Sequence, residues 1–289
     1  MIETRGLTKH YGSTVALDGV DLDVSTGAVY GLVGPNGAGK TTLLGLLAGL
    51  RRPTAGDIHI EAEPTEIAVL SDTPRFDPWL TGREAVELAA HLTGGAERVD
   101  AVLEEAGLTD AQERAVGGYS RGMLQRLGVA CALVGSPRLM LLDEPASALD
   151  PLGRREVLDL IARLRGSSTV LFSSHILADV QEVCDTVGIL DEGKLLFQGP
   201  LDELLVGSAV PRYVVRCRPP LEPILAFLSR QEWVTAVEAI GPDELAVTVE
   251  SLEDAEVHLI GALAEAEARV ISLHPEGVTL ERAFLELTR

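Results

Sequence analysis

A glycine-rich segment near the N-terminus has the residue types and spacing of a phosphate-binding loop. Gly34-Pro-Asn-Gly-Ala-Gly-Lys40-Thr41 matches G-x-x-x-x-G-K-[ST] and stands between an apolar run, AVYGLV, and a predicted helix. Glycines let backbone N–H groups surround phosphate oxygens, Lys40 can reach the β- and γ-phosphates, and the Thr41 hydroxyl suits Mg²⁺. Because the glycine order differs from G-x-G-x-x-G, we predict a nucleotide phosphate site and not a dinucleotide site. The predicted phosphate-binding residues are Gly34, Pro35, Asn36, Gly37, Ala38, Gly39, Lys40, Thr41 and Thr42.

Two acids follow a second apolar run. Asp143 and Glu144 come directly after Leu139–Leu142, which predicts a buried strand. In open α/β sheets, ligands bind beyond the carboxyl ends of the strands, which is where this pair would stand. Taken alone, two carboxylates at the end of a strand are equally consistent with a solvated surface. Together with the phosphate loop, they predict that Asp143 assists Mg²⁺ and that Glu144 polarises an attacking water.

A serine before an amphipathic helix introduces a third motif. Ser120 on its own predicts only a helix N-cap, the commonest role of such a serine. The segment YSRGM, with Gln125-Arg126 after it, resembles the signature loop of the ATP-binding-cassette (ABC) ATPases, whose usual form is LSGGQ. In that family the loop acts on the ATP bound to a partner subunit. The residues that match it are Tyr119, Ser120, Arg121, Gly122 and Met123.

Further positions are similar to the same family, in chain order, over about residues 1–200. Tyr11 stands where a family aromatic residue stacks on adenine, and His175 resembles the switch histidine that contacts the γ-phosphate. Asp72 aligns with the family's glutamine after its fourth strand and can meet Mg²⁺ directly or through water. The loop after the acidic pair resembles the family segment that faces the opposing subunit. It consists of Ser147, Ala148, Leu149 and Asp150.

Three features depart from the family pattern. Asp72 replaces glutamine and adds negative charge beside the phosphates. Arg121 and Met123 replace a glycine and a glutamine of the signature, a variant that exporter-type members often show. Ala148 replaces a glycine, which is tolerated unless the backbone there needs a positive φ.

The elements around these motifs alternate between strand and helix patterns, which predicts an α/β sheet with helices on its faces. Thr81 and Glu84 form a T-x-x-E capping box at the start of a helix, within a helical insert of about residues 72–130. Val187–Leu190 and Leu195–Gln198 predict a closing hairpin. The resemblance implies that this part is a P-loop NTPase with an ABC-type helical insert.

After about residue 207 the pattern changes. Alternating and helical stripes follow in the order β-α-β-β-α-β, which predicts a small α+β domain of the split-βαβ, ferredoxin-like type. We therefore predict two domains, an ABC nucleotide-binding domain over 1–207 and an accessory domain over 208–289. Two roles for the accessory domain stay open: a packing or dimerisation module, and a regulatory or ligand-sensing module.

Composition excludes several classes of protein. The formal net charge of −20, from 44 acids and 24 bases, disfavours a nucleic-acid partner. No apolar stretch reaches the roughly 18 residues of a membrane span, and the first ten residues contain no apolar secretory core, so we expect a cytosolic chain. Cys131, Cys184 and Cys217 lack CxxC spacing, which predicts reduced thiols.

The resemblance also implies how the motifs act. In the family two cassettes pair head to tail, so that Ser120 and Gly122 of one subunit face the γ-phosphate on Lys40 of the other. Hydrolysis of the two ATP then drives a separate membrane-spanning permease. The layout is similar to ATPases of bacterial drug, antibiotic-resistance and bacteriocin-immunity exporters, which implies a peripheral protein at the inner face of the cell membrane.

Two other functions stay open at this level. One is a soluble ABC ATPase with a mechanochemical or regulatory role, although such proteins usually have two cassettes or long coiled coils, which this sequence lacks. The other is a nucleotide-binding scaffold without turnover, which Glu144 and His175 disfavour. The transported molecule, and whether the dimer is homomeric, are not specified by the sequence.

Overall fold

The computed structural model describes residues 1–147, 149–207, 212–275, 280–281 and 284. The chain divides into two compact units, one built on Met1–Glu203 and the other on Leu204–Glu286. The division falls a few residues before the domain boundary that the sequence predicts. Ala148, which the sequence places in the partner-facing loop, lies outside the described residues.

Among the described residues, the first unit contains ten strands and six α-helices, and a seventh helix spans the division between the units. The strands are β1 (Ile2–Tyr11), β2 (Thr14–Val20), β3 (Asp23–Val24), β4 (Val29–Val33), β5 (Ala55–Ile60), β6 (Ile67–Leu70), β7 (Leu139–Leu142), β8 (Thr169–Ser174), β9 (Thr186–Asp191) and β10 (Lys194–Pro200). The helices are α1 (Lys40–Leu47), α2 (Gly82–Thr93), α3 (Val99–Glu105), α4 (Arg121–Leu133), α5 (Pro151–Arg163), α6 (Leu177–Val183) and α7 (Leu201–Gly207).

The central sheet of this unit has six strands in the order β10-β9-β4-β8-β7-β6. All neighbours are parallel except β10, which pairs with β9 as the predicted hairpin. Every residue of β4, β7 and β8 is buried, as expected for parallel strands covered on both faces. Because the strands are parallel, the segments after β4, β7 and β8 emerge at one edge. Those segments are the phosphate loop, the acidic pair and His175.

A second, antiparallel sheet has β1 at its centre, paired with β2, β3 and β5. Its inner face contributes Ile2, Leu7 and Leu17 to a core cluster that also contains Leu43 and Leu46 of α1. Helix α1, which follows the phosphate loop, therefore packs between side chains of the central sheet and side chains of the antiparallel sheet.

The helical insert contains α2, α3 and α4. The predicted capping box is present: the Thr81 hydroxyl accepts from the Glu84 N–H at 3.1 Å, and a Glu84 carboxylate oxygen accepts from the Thr81 N–H at 2.8 Å. These bonds hold the pKa of Glu84 below its usual value. Helix α2 ends at Gly94, whose φ of 84° is the left-handed conformation of a glycine C-cap.

The second unit is a four-stranded antiparallel sheet with helices against it. Its strands are β11 (Arg212–Cys217), β12 (Val234–Ala239), β13 (Glu244–Val249) and β14 (Val270–Pro275), and its helices are α8 (Glu222–Leu228), α9 (Leu252–Asp254) and α10 (Ile260–Glu265). The strands follow the order β12-β13-β11-β14, the ferredoxin-like arrangement that the sequence predicts. The helical segment between β13 and β14 contains a π-helical stretch, Ala255–Leu259.

Within the described residues, no helix combines the length and the apolar character that crossing a membrane requires. The cysteines Cys131, Cys184 and Cys217 are free thiols. Burial raises the pKa of the Cys131 thiol to about 12 and that of Cys184 well above its usual value. These thiols are therefore protonated and unreactive at neutral pH.

Candidate functional site

A cleft of about 500 Å³ opens at the carboxyl edge of the central sheet. It brings together the phosphate loop, the acidic pair, Asp72, Ser147 and His175 from separate parts of the chain. Its lining residues are Thr14, Val15, Ala16, Asn36, Gly37, Ala38, Gly39, Lys40, Thr41, Thr42, Asp72, Asp143, Glu144, Ser147 and His175.

The backbone of the phosphate loop requires glycine at two positions. Gly37 and Gly39 have φ values of 88° and 109°, which side-chain-bearing residues rarely adopt. A Cβ atom on Gly39 would also lie 2.5 Å from the Ala16 carbonyl oxygen, closer than any real contact. The loop is thus a tight backbone cradle that leads into α1, whose N-terminus favours an anion.

Lys40 is the first residue of α1 and is only 6% exposed. Its ammonium group donates to the carbonyl oxygens of Gly34 and Pro35, at 2.7 and 3.2 Å. It also lies 3.5 Å from a carboxylate oxygen of Glu144. The buried positive charge is therefore fully partnered and stands beside the loop where phosphates would bind.

Glu144 connects Lys40 to His175. One carboxylate oxygen faces Lys40, and the other lies 2.7 Å from His175 Nδ1. The backbone of Glu144 has φ +49°, a sparsely populated region for a glutamate, as found at strained functional positions. The three side chains form one chain of contacts within the lining of the cleft.

The structure adds Ser173, a residue that the sequence patterns did not single out. This buried serine near the end of β8 contacts both members of the acidic pair. The available signal was a pair of small polar residues ending the apolar run TVLFSS, directly before His175. The neighbouring Ser174 hydroxyl instead accepts from the Ile176 N–H at 2.9 Å and so shapes the loop that contains His175.

The signature residues are not among those lining this cleft in the described part of the chain. Ser120 is the N-cap of α4, and its hydroxyl accepts from the Met123 N–H at 3.2 Å. Gly122 is packed against Gly153 of α5: a Cβ atom on Gly122 would lie 3.7 Å from the Gly153 Cα. The Tyr119 side chain points into the insert, where its hydroxyl donates to the Ala111 carbonyl at 2.7 Å. Its side chain therefore packs the insert, and burial raises its pKa.

Tyr11 also lies outside the lining of the cleft and is 44% exposed at the end of β1. Its hydroxyl accepts a hydrogen bond from the Arg51 guanidinium. The Lys9 ammonium stands 5.0 Å from the ring centroid, and the Arg51 guanidinium carbon stands 5.6 Å from it. The ring is thus restrained by cations on the antiparallel sheet and after α1, while part of it remains exposed.

Asp72 is exposed and lines the cleft beside the acidic pair. Its backbone carbonyl accepts from the side-chain amide of Gln125, a buried residue of α4, at 3.4 Å. This contact joins the cleft to the helix that begins at the signature loop. Of the partner-facing segment, Ser147 lines the cleft, and Asp150 is the N-cap of α5.

The site suits a nucleoside triphosphate bound with Mg²⁺ better than it suits a metal ion alone. Among the described residues, no cluster of three or more His, Cys, Asp or Glu side chains could hold a metal ion unaided. Thr41 and Asp143 offer one hydroxyl and one carboxylate at the edge of the phosphate cradle. Mg²⁺ is commonly bound by one or two such groups together with substrate phosphates and water.

Comparisons with known proteins agree with this geometry. Residues 17–147 match the family model described as ABC transporter. The chain is 38% identical to the uncharacterised ABC transporter ATP-binding protein YxlF of Bacillus subtilis, over 84% of this chain and 85% of that protein. It is 33% identical to the daunorubicin/doxorubicin resistance ATP-binding protein DrrA of Streptomyces peucetius, over 99% of this chain and 92% of that protein.

A solved structure is similar as well. The ATP-binding cassette MJ0796, a dimer in a post-hydrolysis state bound to ADP and phosphate, superposes with a TM-score of 0.63 at 25% identity. The match covers 70% of this chain and 99% of that cassette. The similarity therefore extends over the whole cassette and, in the DrrA relative, beyond it. The chain belongs to the ABC transporter family and is one of its ATP-binding, ATP-hydrolysing subunits.

Proposed function

We propose that this protein is the ATPase subunit of a bacterial exporter, which pairs with a second cassette around two ATP and drives a separate membrane-spanning permease. The observation that supports it most is the chain of contacts from Lys40 through Glu144 to His175 in the phosphate cleft. In a soluble, non-transporting ABC ATPase the same contacts would serve hydrolysis, so an exporter subunit needs in addition a second surface that binds the permease.

In this proposal each cleft residue has a definite task. The backbone of the loop and Lys40 bind the β- and γ-phosphates, and Tyr11 stacks on the adenine. Glu144 orients the attacking water and accepts its proton, while His175 contacts the γ-phosphate and holds the Glu144 carboxylate. Because Glu144 shares both its oxygens between Lys40 and His175, its carboxylate is held in place before substrate binds.

Mg²⁺ would be held by the Thr41 hydroxyl and the Asp143 carboxylate, with Asp72 as a further oxygen donor. An ion held there would supply positive charge beside the β- and γ-phosphates. Asp72 is negatively charged, whereas the glutamine of the family pattern is neutral. A site with Asp72 should therefore attract a cation more strongly than a site with glutamine.

A second copy of the chain would complete the site. Ser120 and Gly122 begin α4, a helix whose N-terminus has partial positive charge suited to a phosphate, and they do not line their own cleft in the described residues. The dimeric structure of the related cassette MJ0796 supports this pairing. We propose that Ser147, Leu149 and Asp150 lie at the interface.

A groove of about 350 Å³ beside the cleft is the surface we assign to the permease. It lies between β6 and α4 and is lined by residues that include Val69, Phe76 and Cys131. Val69 is 46% exposed there on the edge strand β6, so it offers apolar surface to a partner. The segment after Asp72 forms part of its wall, so a partner in the groove would contact the stretch that reaches the phosphate site.

The names of the relatives support export as the direction of transport. DrrA is described as a daunorubicin/doxorubicin resistance protein, and resistance through transport requires removal of the drug from the cell. We propose that this chain acts at the cytoplasmic face of the membrane, held there by the permease, and that the second unit is an accessory domain.

Affinity capture tests this function. Tagged Glu144→Gln chain with ATP and Mg²⁺ would be incubated with detergent-solubilised membranes of the host, and the bound proteins would be identified by mass spectrometry. We expect a polytopic membrane protein without a phosphate loop of its own. Val69→Arg, which adds a charge to the groove but leaves the phosphate loop intact, should bind ATP normally and lose this partner. Capture of soluble partners only, by both variants, would contradict the exporter and favour a soluble ABC ATPase.

A further inference from the structure

Ser173 is a buried polar residue for which the proposed hydrolysis assigns no task. It is 0% exposed and lies in β8, in parallel register with Leu32 of β4. Burying a hydroxyl between apolar strands is costly unless its hydrogen bonds are satisfied. The hydrogen-bond partners of this hydroxyl therefore explain why a serine occupies this position.

Both partners belong to the acidic pair. The Ser173 hydroxyl oxygen accepts from the Glu144 N–H at 2.9 Å and lies 2.6 Å from Asp143 Oδ1. A backbone N–H can only donate, and a hydroxyl has a single proton. The hydroxyl proton must consequently point at the Asp143 carboxylate, so the direction of each bond is fixed. A carbonyl group can only accept a hydrogen bond and an ammonium group can only donate one, so neither could form both bonds.

The first bond acts on the strained backbone of Glu144. Its φ of +49° lies in the left-handed region, and it persists only if its surroundings enforce it. The N–H is held by Ser173, and the carbonyl accepts from the Ser147 N–H at 3.1 Å. In this conformation the Glu144 side chain meets both Lys40 and His175. Loss of the Ser173 bond would remove one of the two backbone restraints.

The second bond acts on the side chain of Asp143. It occupies Oδ1 and so restricts rotation of the carboxylate, because turning the group would break a short, charge-assisted bond. The same hydroxyl thus links the group proposed to hold Mg²⁺ to the backbone of the group proposed to orient water.

We propose that Ser173 is a positioning residue for ATP hydrolysis, holding Asp143 and Glu144 in one fixed relative geometry through a single hydroxyl. This inference rests on the roles proposed above for the two acids. It predicts that the hydroxyl affects turnover and the response to Mg²⁺, but not binding of the nucleotide itself, because Ser173 does not line the cleft.

Two isosteric variants isolate the hydroxyl. The threonine and valine side chains have the same shape, so Ser173→Thr and Ser173→Val differ only in the hydroxyl. Ser173→Ala also removes the hydroxyl but adds no volume, so it serves if the branched side chains do not fit. Ser168→Ala is the matched control, because this buried serine just before β8 bonds the Pro137 carbonyl at 2.7 Å, away from the site. Turnover would be measured together with calorimetry of ATP binding at several Mg²⁺ concentrations.

We expect turnover of the Ala and Val variants to fall roughly 10- to 100-fold, as for other residues that orient metal ligands. The Mg²⁺ concentration for half-maximal enhancement of ATP binding should rise several-fold, ATP affinity without Mg²⁺ should stay unchanged, and Ser173→Thr should recover most of the loss. Ser168→Ala should match the parent in turnover.

Three results would overturn the proposal. They are parental turnover and Mg²⁺ response in both hydroxyl-free variants, a Thr variant as impaired as the Val variant, or an equal loss in Ser168→Ala. Glu144→Gln in the same assays separates this outcome from failure of the proposed function. If that variant also kept the parental rate, the role of Glu144 itself would be wrong.

Discussion

The two units of the chain differ in what they bury. Among the described residues, all buried polar or charged side chains belong to the first unit, namely Thr4, Lys40, Gln125, Ser168, Thr169, Ser173, Ser174 and Asp179. The core cluster of the second unit is formed by aliphatic residues and Cys217, with no buried polar side chain among those described. Buried polar groups lower stability unless they are hydrogen-bonded. Their confinement to the first unit therefore indicates that this unit needs them for structure or for binding.

Part of the buried polarity in the first unit is structural. The Thr4 hydroxyl donates to the Val20 carbonyl at 2.9 Å and ties β1 to β2, and Asp179 of α6 is paired with Arg154 of α5. Desolvation raises the pKa of Asp179, although the guanidinium opposes this effect. In contrast, Lys40, Ser173 and Ser174 gather at the carboxyl edge of the central sheet. The buried polar groups that the phosphate site uses therefore lie in the first unit.

The largest expected effect is on turnover in Glu144→Gln. Losing the group that accepts the water's proton should lower the rate of ATP hydrolysis by about 10²- to 10⁴-fold, while ATP affinity changes little. Glu192→Gln is the matched control, because Glu192 has a similar φ of 45° in the β9–β10 turn but lies outside the cleft. Phosphate release and calorimetry measure the two effects. Equal rates in both variants would show that the site is wrongly assigned.

The second unit should respond in stability and not in catalysis. Leu228 of α8 is fully buried, so Leu228→Ala should lower the free energy of unfolding of this unit by about 2–5 kcal/mol. The 66% exposed Val257 provides a control, since Val257→Ala should stay within about 0.5 kcal/mol of the parent. Denaturant unfolding of the full chain measures both. A loss of ATP turnover in Leu228→Ala, under conditions where the unit stays folded, would break the contrast between the units.

Lys40→Ala should weaken ATP binding. Removing charge-assisted bonds to the phosphates costs about 1.5–3 kcal/mol, which corresponds to a loss of affinity of roughly 10- to 150-fold. Lys194→Ala is a suitable comparison, since this exposed lysine lies 3.5 Å from Asp18 and not at the phosphate loop. Calorimetry of ATP binding would decide, and unchanged affinity in Lys40→Ala would count against the phosphate site.

The smallest effect is expected at Tyr11. Tyr11→Ala should reduce ATP affinity by about 0.5–1.5 kcal/mol, the usual worth of an aromatic stacking contact. Tyr11→Phe keeps the ring and loses only the hydrogen bond from Arg51, so its affinity should stay close to that of the parent. If the two variants weakened binding equally, the ring would not be the part of Tyr11 that meets the nucleotide.

Most of the site's parts could be predicted from local patterns. The apolar runs that became β4, β7 and β8, and the motifs after them, are each contiguous in sequence, and parallel strands bring their ends together without further information. Ser173 could not be assigned in this way, because its bonds to Asp143 and Glu144 depend on which strands are neighbours. The π-helical stretch Ala255–Leu259 could not be predicted either, because the spacing of apolar residues does not reveal a single extra residue in a helical turn.

If each ATP site is built from two chains, as we propose, mixing two inactive variants tests it directly. Lys40→Ala disables the phosphate loop. Ser120→Asp places a negative charge on the exposed N-cap of α4, where an aspartate caps the helix as a serine does but would repel a partner's phosphate. Each variant alone should hydrolyse almost no ATP. Random exchange makes half of the dimers mixed, each with one intact composite site, so we predict recovery of about a quarter of the parental rate.

A tagged copy would confirm that the two variants exchange. If mixed dimers formed but no activity returned, the signature loop and the phosphate loop of the same chain would have to act together, which would contradict a site shared between two chains.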